Sequence, residues 1–146
     1  LGLRTPYLLS RHLLPGMIDR GEGWILNISS LAALNQWYQG QLAYGMAKAG
    51  LERFTLGLAA DMGANDITVN CLRVDIPIAS EGFVMNFTDL EMDRSNWERC
   101  EVAAEAVIWM LRQDRKSFNG VTIGITGLRE RFGVPKQQQW VETQEG

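Results

Sequence analysis

Histidine is almost absent from this chain. His12 is the sole one among 146 residues, which leaves almost no room for a histidine-based triad or a histidine-rich metal site, and no metal is expected. Cysteine is as sparse. Cys71 and Cys100 lack metal-ligand spacing and read as buried reduced thiols of a cytoplasmic protein; a disulfide between them stays open but unsupported. No stretch nears the roughly 18 uncharged apolar residues of a membrane-spanning helix. The opening Leu1-Gly2-Leu3-Arg4-Thr5-Pro6 has no charged-then-apolar signal pattern. Positive charge is not in excess either. With 14 Lys and Arg against 17 Asp and Glu, the net charge is -3 and no basic stripe forms, which argues against nucleic acid or an anionic membrane as partner.

What is present is an ordinary globular composition, 46% hydrophobic and 21% charged, at a length suited to about one domain. Residues 5–20 read as a helix, with Thr5 able to cap it, Pro6 in the first turn, and Leu8, Leu9, His12, Leu13 and Met17 in helical period. Pro15 predicts a kink or a loosened last turn, and Gly21 an end. His12 at this spacing is a packing residue. Residues 24–28 form a short apolar run suited to a strand buried on both faces, and residues 30–40 a loop containing Asn35, Gln36, Trp37 and Tyr38. The longest helix is expected over 42–63, where Ala43, Ala47, Gly50, Gly57 and Ala60 would let a partner helix approach closely. A second strand follows at 67–72. Residues 75–97 read as an irregular apolar segment, either a lid over a ligand or a surface segment packed on the core. A helix over 98–112, a third strand over 121–125 after the turn Asn119-Gly120, and a polar, peripheral or partly disordered tail over 129–146 complete the chain. The alternation implies a parallel sheet with flanking helices.

One constellation carries chemistry. The run Gly23-Trp24-Ile25-Leu26-Asn27-Ile28 ends in Ser29 and Ser30; Tyr44 follows, and Lys48 stands four residues further. If Tyr44 opens a helix, Lys48 lies one turn along on the same face. A hydroxyl, a phenol and an ammonium then converge beyond the end of a strand. Carbonyl reduction needs a proton delivered to a developing alkoxide. Tyr44 is the candidate donor, Lys48 the ammonium that stabilises its phenolate, and Ser30 the hydrogen-bond partner of the substrate oxygen. Singly, each residue has an ordinary reading: a strand-end cap, a half-buried helix tyrosine, a solvated lysine.

In this order, Asn27-Ile28-Ser29-Ser30 and Tyr44-x-x-x-Lys48-Ala49-Gly50 resemble the short-chain dehydrogenase/reductase family. Leu13-Leu14-Pro15-Gly16-Met17, Ile67-Thr68-Val69-Asn70-Cys71-Leu72 and Phe118-Asn119-Gly120-Val121-Thr122-Ile123 resemble its flanking blocks, so the likeness runs over most of residues 3–128. The resemblance implies a partial Rossmann-like three-layer α/β fold of about three parallel strands. It also implies NAD or NADP as cofactor, a carbonyl or alcohol substrate, and catalytic Ser30, Tyr44 and Lys48. Tyr44 and Lys48 would also face the cofactor, Lys48 at the nicotinamide ribose. Val74 and Asp75 occupy the places of the family's Pro-Gly turn near the nicotinamide, and Ala79 that of its threonine; Pro77 is given no role.

The departures set further expectations. No G-x-G-x-x-G turn between strand and helix is present. Gly2 stands where the family has an asparagine, and Asp75 adds negative charge beside a phosphate-bearing cofactor. The chain is therefore expected to be a truncated, catalytic half, residues 1–128, with residues 129–146 as tail. Half a sheet leaves an edge and apolar faces to cover, and the resemblance places a homo-oligomer interface on helices 5–20 and 42–63. Three readings compete: an NAD(P)-dependent oxidoreductase with incomplete cofactor binding, a non-catalytic oligomeric α/β module that has lost it, and a fragment whose full-length parent is the enzyme.

Overall fold

The computed structural model describes residues 2–35, 40–86 and 94–134. In chain order the elements are α1 (Arg4–Arg20), β1 (Gly23–Ser30), a 3-10 turn (Leu31–Ala33), α2 (Leu42–Met62), a second 3-10 turn (Gly63–Asn65) and β2 (Ile67–Val74). Then come α3 (Glu81–Asn86), α4 (Glu101–Leu111), β3 (Thr122–Gly124) and α5 (Ile125–Phe132). The three strands form one parallel sheet in the order β1-β2-β3. Gly23 pairs with Ile67 and Ser30 with Val74, so both strands end at the same level. That shared end carries the site.

Strand alternation splits the core into two layers. Ile25, Ile67 and Val69 meet Leu14 and Met17 of α1 and Ala59 of α2 on one face. Leu26 and Leu72 meet Val102, Ala106 and Met110 of α4 and Ile125 and Leu128 of α5 on the other. The result is the expected three-layer α/β fold with a Rossmann-like parallel sheet. Full burial of an aliphatic such as Leu72, 0% exposed, contributes about 1.5–3 kcal/mol.

Several expectations need correction. β1 is not buried on both faces: it is an edge strand of the described sheet, and Trp24 and Ile28 stay 43% and 42% exposed. Trp24 is covered instead by the Arg115 guanidinium, 4.7 Å above its ring. Thr5 is not the cap of α1, which starts one residue earlier with Leu3 at the N-cap and no side-chain cap bond. The helix continues through Pro15 to Arg20 and ends at Gly21 in the left-handed conformation, φ 69°. Residues 75–97 are not wholly irregular. α3 lies within them, and Ile78 bridges Glu98, so Glu98 belongs to that bridge and α4 begins at Glu101. The third strand stops at Gly124, because Ile125 already opens α5. Nor does a peripheral tail start at residue 129: α5 runs to Phe132, and Arg129 is tied into the core. Residues 36–39, 87–93 and 135–146, including Gln36, Trp37, Tyr38 and the run Lys136-Gln137-Gln138-Gln139, lie outside the described residues.

Candidate active site

β1 delivers Ser30 in extended conformation, φ -141° and ψ 156°. The chain then tightens into the 3-10 turn, and the Ser30 hydroxyl accepts the Ala32 N–H at 3.3 Å. Ser29 beside it is only 2% exposed, whereas Ser30 sits half-buried at the strand end. α2 starts close by. A Cβ on Gly45 would come within 2.8 Å of the Ala32 carbonyl oxygen, so glycine there lets the first turn of α2 nest against the turn that follows Ser30. Tyr44 and Lys48 lie on that helix as the i,i+4 spacing requires. Tyr44 is 46% exposed. The Lys48 ammonium donates to the Ile28 carbonyl at 2.8 Å and lies 5.5 Å from the Tyr44 ring centroid. A long, mobile side chain is thereby held beside the phenol, at a separation typical of cation–π contact.

These three side chains border one cleft of about 710 Å³, which Val74, Ile76 and Phe83 also line. A side pocket of about 250 Å³ continues past Ser30 to Asp75, Pro77 and the buried Trp97. Asp75 borders this pocket, but one of its oxygens accepts the Thr126 N–H of α5 at 3.1 Å. Its carboxylate also fills the space a Cβ on Gly124 would need, so glycine at that position is what admits it. The negative charge expected to disturb a cofactor is thus engaged at a helix N-terminus, where it is favourable.

The pairings that support the site leave no local signal in the sequence. Glu52, one turn beyond Lys48 on α2, forms a bidentate pair with Arg73 of β2 at 2.8 and 2.6 Å. Its hydrogen bond holds the Arg73 guanidinium more firmly protonated. Asn27 donates to Thr55 at 2.9 Å, joining β1 to the same helix. On the other face, Glu98 and Arg129 pair at 2.8 and 2.6 Å and clip the base of the segment carrying α3. Spacing along the chain cannot signal partners 21 to 31 residues apart. Cys71 lies under this layer. Burial, with the Glu52 charge second, pushes its thiol up to about 11.

Both cysteines are free; Cys71 is buried as expected, but the expectation of a buried thiol is corrected for Cys100, which is exposed. Among the described residues there is no group of three or more His, Cys, Asp or Glu arranged to hold a metal. Among them, too, no helix is long and apolar enough to cross a membrane.

Known proteins resemble this chain in sequence and in fold. The family model for short chain dehydrogenase matches residues 2–76. Acetoacetyl-CoA reductase of Cupriavidus necator is 40% identical over 68 residues, 47% of this chain and 27% of that protein. An uncharacterised oxidoreductase of Bacillus subtilis, YmfI, is 30% identical over 139 residues, 87% of this chain and 54% of its own length. Among solved structures, a 3-oxoacyl-acyl-carrier-protein reductase of Brucella melitensis with bound NAD superposes with a TM-score of 0.69. It is 27% identical and covers 85% of this chain and 47% of its own. The chain thus spans about half the length, or less, of the relatives it matches. A match over residues 2–76, carrying the serine strand, the tyrosine–lysine helix and the strand paired with it, makes this chain a member of the short chain dehydrogenase family.

Proposed function

We propose that the chain forms the catalytic part of an NAD(P)-dependent oxidoreductase that interconverts a ketone and a secondary alcohol. The observation that carries this reading is the fixed pair Lys48 and Tyr44 bordering one cleft with Ser30. Relatives named as reductases, and a structural neighbour holding NAD, support it. Three features are consistent with such a cofactor: Lys48 stands where its ammonium could donate to a ribose hydroxyl, Val74 lines the cleft, and the Asp75 carboxylate is drawn toward α5. When bound, the nicotinamide supplies or accepts the hydride. In the direction of reduction, Ser30 donates a hydrogen bond to the substrate oxygen as charge develops on it. Tyr44 passes its phenolic proton to that oxygen, and the Lys48 ammonium stabilises the phenolate left behind. Oxidation runs the same proton back to Tyr44. NAD and NADP are equally compatible with these residues.

The same reading includes a homo-oligomer and a cytoplasmic setting. A groove of about 870 Å³ runs between α1 and α2, lined by Leu3, Tyr7, Phe54 and Leu58, and Leu9 and Leu13 project from α1. Such an apolar surface favours pairing with a second copy; light scattering is expected to show a multimer at micromolar concentration, and a stable monomer refutes that part.

Titration with NADH and with NADPH, followed by fluorescence, tests the central claim. Saturable binding is expected, weakened at least about tenfold (about 1.4 kcal/mol) in Lys48→Met. Turnover is expected to fall by about 100-fold or more in Tyr44→Phe, as general-acid catalysis is lost. Absence of binding to both dinucleotides overturns the enzyme reading for this chain. The sequence's lack of a G-x-G-x-x-G turn then favours the second reading, a non-catalytic oligomeric α/β module.

A further inference from the structure

Resting on the dehydrogenase reading, we infer that the cleft beside Tyr44 selects uncharged ketones and alcohols with an apolar substituent and rejects those whose substituent ends in a carboxylate. Its far wall is apolar and held in place. Val74, Ile76 and Ile78 come from the end of β2 and the segment after it, and Phe83 from α3. Phe83 packs against the buried Trp97 with ring centroids 5.0 Å apart. The Ser80 hydroxyl accepts the Phe83 N–H at 3.2 Å, tying the first turn of α3. The base is pinned where Ala79 N–H donates to Glu98 at 2.9 Å and Glu98 N–H to Pro77 at 3.0 Å. This wall is preorganised rather than assembled by the substrate.

Charge decides the selectivity. Among the described residues lining the cleft and its side pocket, only Lys48 is a cation and only Asp75 an anion. Lys48 is bound to the Ile28 carbonyl beside the reacting phenol, so it faces the carbonyl end of a substrate and not its substituent. The nearby guanidinium groups of Arg73 and Arg129 are each held bidentately by a buried glutamate. Arg94 lies over the Trp97 ring at 5.2 Å and does not line the cleft. A substrate carboxylate entering beside Ile78 and Phe83 would therefore lose hydration and meet only neutral groups such as Ser80 and Gln41, with no countercharge, whereas an alkyl chain gains burial.

The matched probes are 2-heptanone and 5-oxohexanoate, which share the methyl-ketone head and nearly the same chain length. Binding to the full chain is measured by calorimetry or saturation-transfer NMR, with and without NADPH. The neutral ketone is expected to bind at least about tenfold more tightly, a difference of about 1.4 kcal/mol. Phe83→Ala should weaken 2-heptanone several-fold and leave NADPH affinity unchanged, while Phe83→Leu, which keeps the apolar wall, retains the preference. Gln41→Arg, placing a cation at the cleft border, should narrow the gap. Equal affinity for the two probes, binding of neither, or no response to Phe83→Ala overturns the inference. Loss of NADPH binding with the ketone preference intact refutes the dehydrogenase reading instead.

Discussion

Replacing Arg129 with methionine removes one half of a buried ion pair and leaves the other half stranded. Glu98 is 3% exposed, its carboxylate receives two charge-assisted hydrogen bonds from Arg129 at 2.8 and 2.6 Å, and among the described residues no other group bonds to that carboxylate. Breaking such a pair by deleting one partner costs about 3–5 kcal/mol, because an uncompensated charge stays in a dry site. The Arg129 side chain is 17% exposed, so some water can reach the carboxylate once the guanidinium is gone. About 3 kcal/mol, the lower end, is the expected loss. In a domain of this size that corresponds to a midpoint lowered by roughly 10 °C. The effect reaches the cleft, because the Glu98 backbone holds Pro77 and Ala79 through two hydrogen bonds. Urea denaturation followed by circular dichroism measures the loss, with the m-value as a check that the same surface unfolds. The double variant Glu98→Gln with Arg129→Met should regain a large part of it, since the stranded charge is gone. A loss under about 1 kcal/mol in Arg129→Met, or no recovery in the double variant, refutes the reasoning.

Four further outcomes are expected. Cys100 should react with a thiol reagent at once and Cys71 only on unfolding, because Cys71 is fully buried; two fast thiols would contradict this. Since the folded Cys71 thiol lies near 11, above its ordinary value of 9.0, the stability it contributes is complete below about 9 and is lost as pH rises toward 11. Cys71→Ala should flatten that alkaline decline. Gly45→Val should cost about 1–3 kcal/mol and weaken cofactor binding, because its Cβ meets the Ala32 carbonyl oxygen. Gly63→Ala, with open space around it, is the control and should be near neutral in thermal melts. Asn70→Leu should cost about 2–4 kcal/mol in urea unfolding, since Asn70 donates to the Phe118 carbonyl at 2.9 Å and accepts from Val121 N–H at 2.9 Å, and both backbone groups would lose their partner.

Much of the architecture was legible along the chain because it rests on local rules. The apolar period of α1, the small-residue helix α2 and the six buried residues opening β2 follow from side-chain pattern alone. So does the placing of Lys48 one turn beyond Tyr44. Element ends were harder, because they depend on contacts from elsewhere. Ile125 reads as strand by propensity, yet it begins a helix whose first turn is tied to Asp75, some fifty residues away. Arg129 reads as the start of a polar tail, yet Glu98 draws it inward. The apolar run after Asp75 reads as loop, yet Phe83 and Trp97 give it a packed helix.

The sequence by itself established the parallel α/β order and placed Lys48 one turn beyond Tyr44, since these depend on residue type and helical or strand period, and its motif blocks carried the family resemblance that groups them with Ser30. Only the tertiary structure decided what surrounds that group. It turned Asp75 toward α5, matched Glu52 with Arg73 and Glu98 with Arg129, and left an apolar wall with Lys48 as the one cation among the described lining residues. The physical reason is that charge pairing and desolvation act through space, between residues that strand register and helix packing bring together from distant parts of the chain.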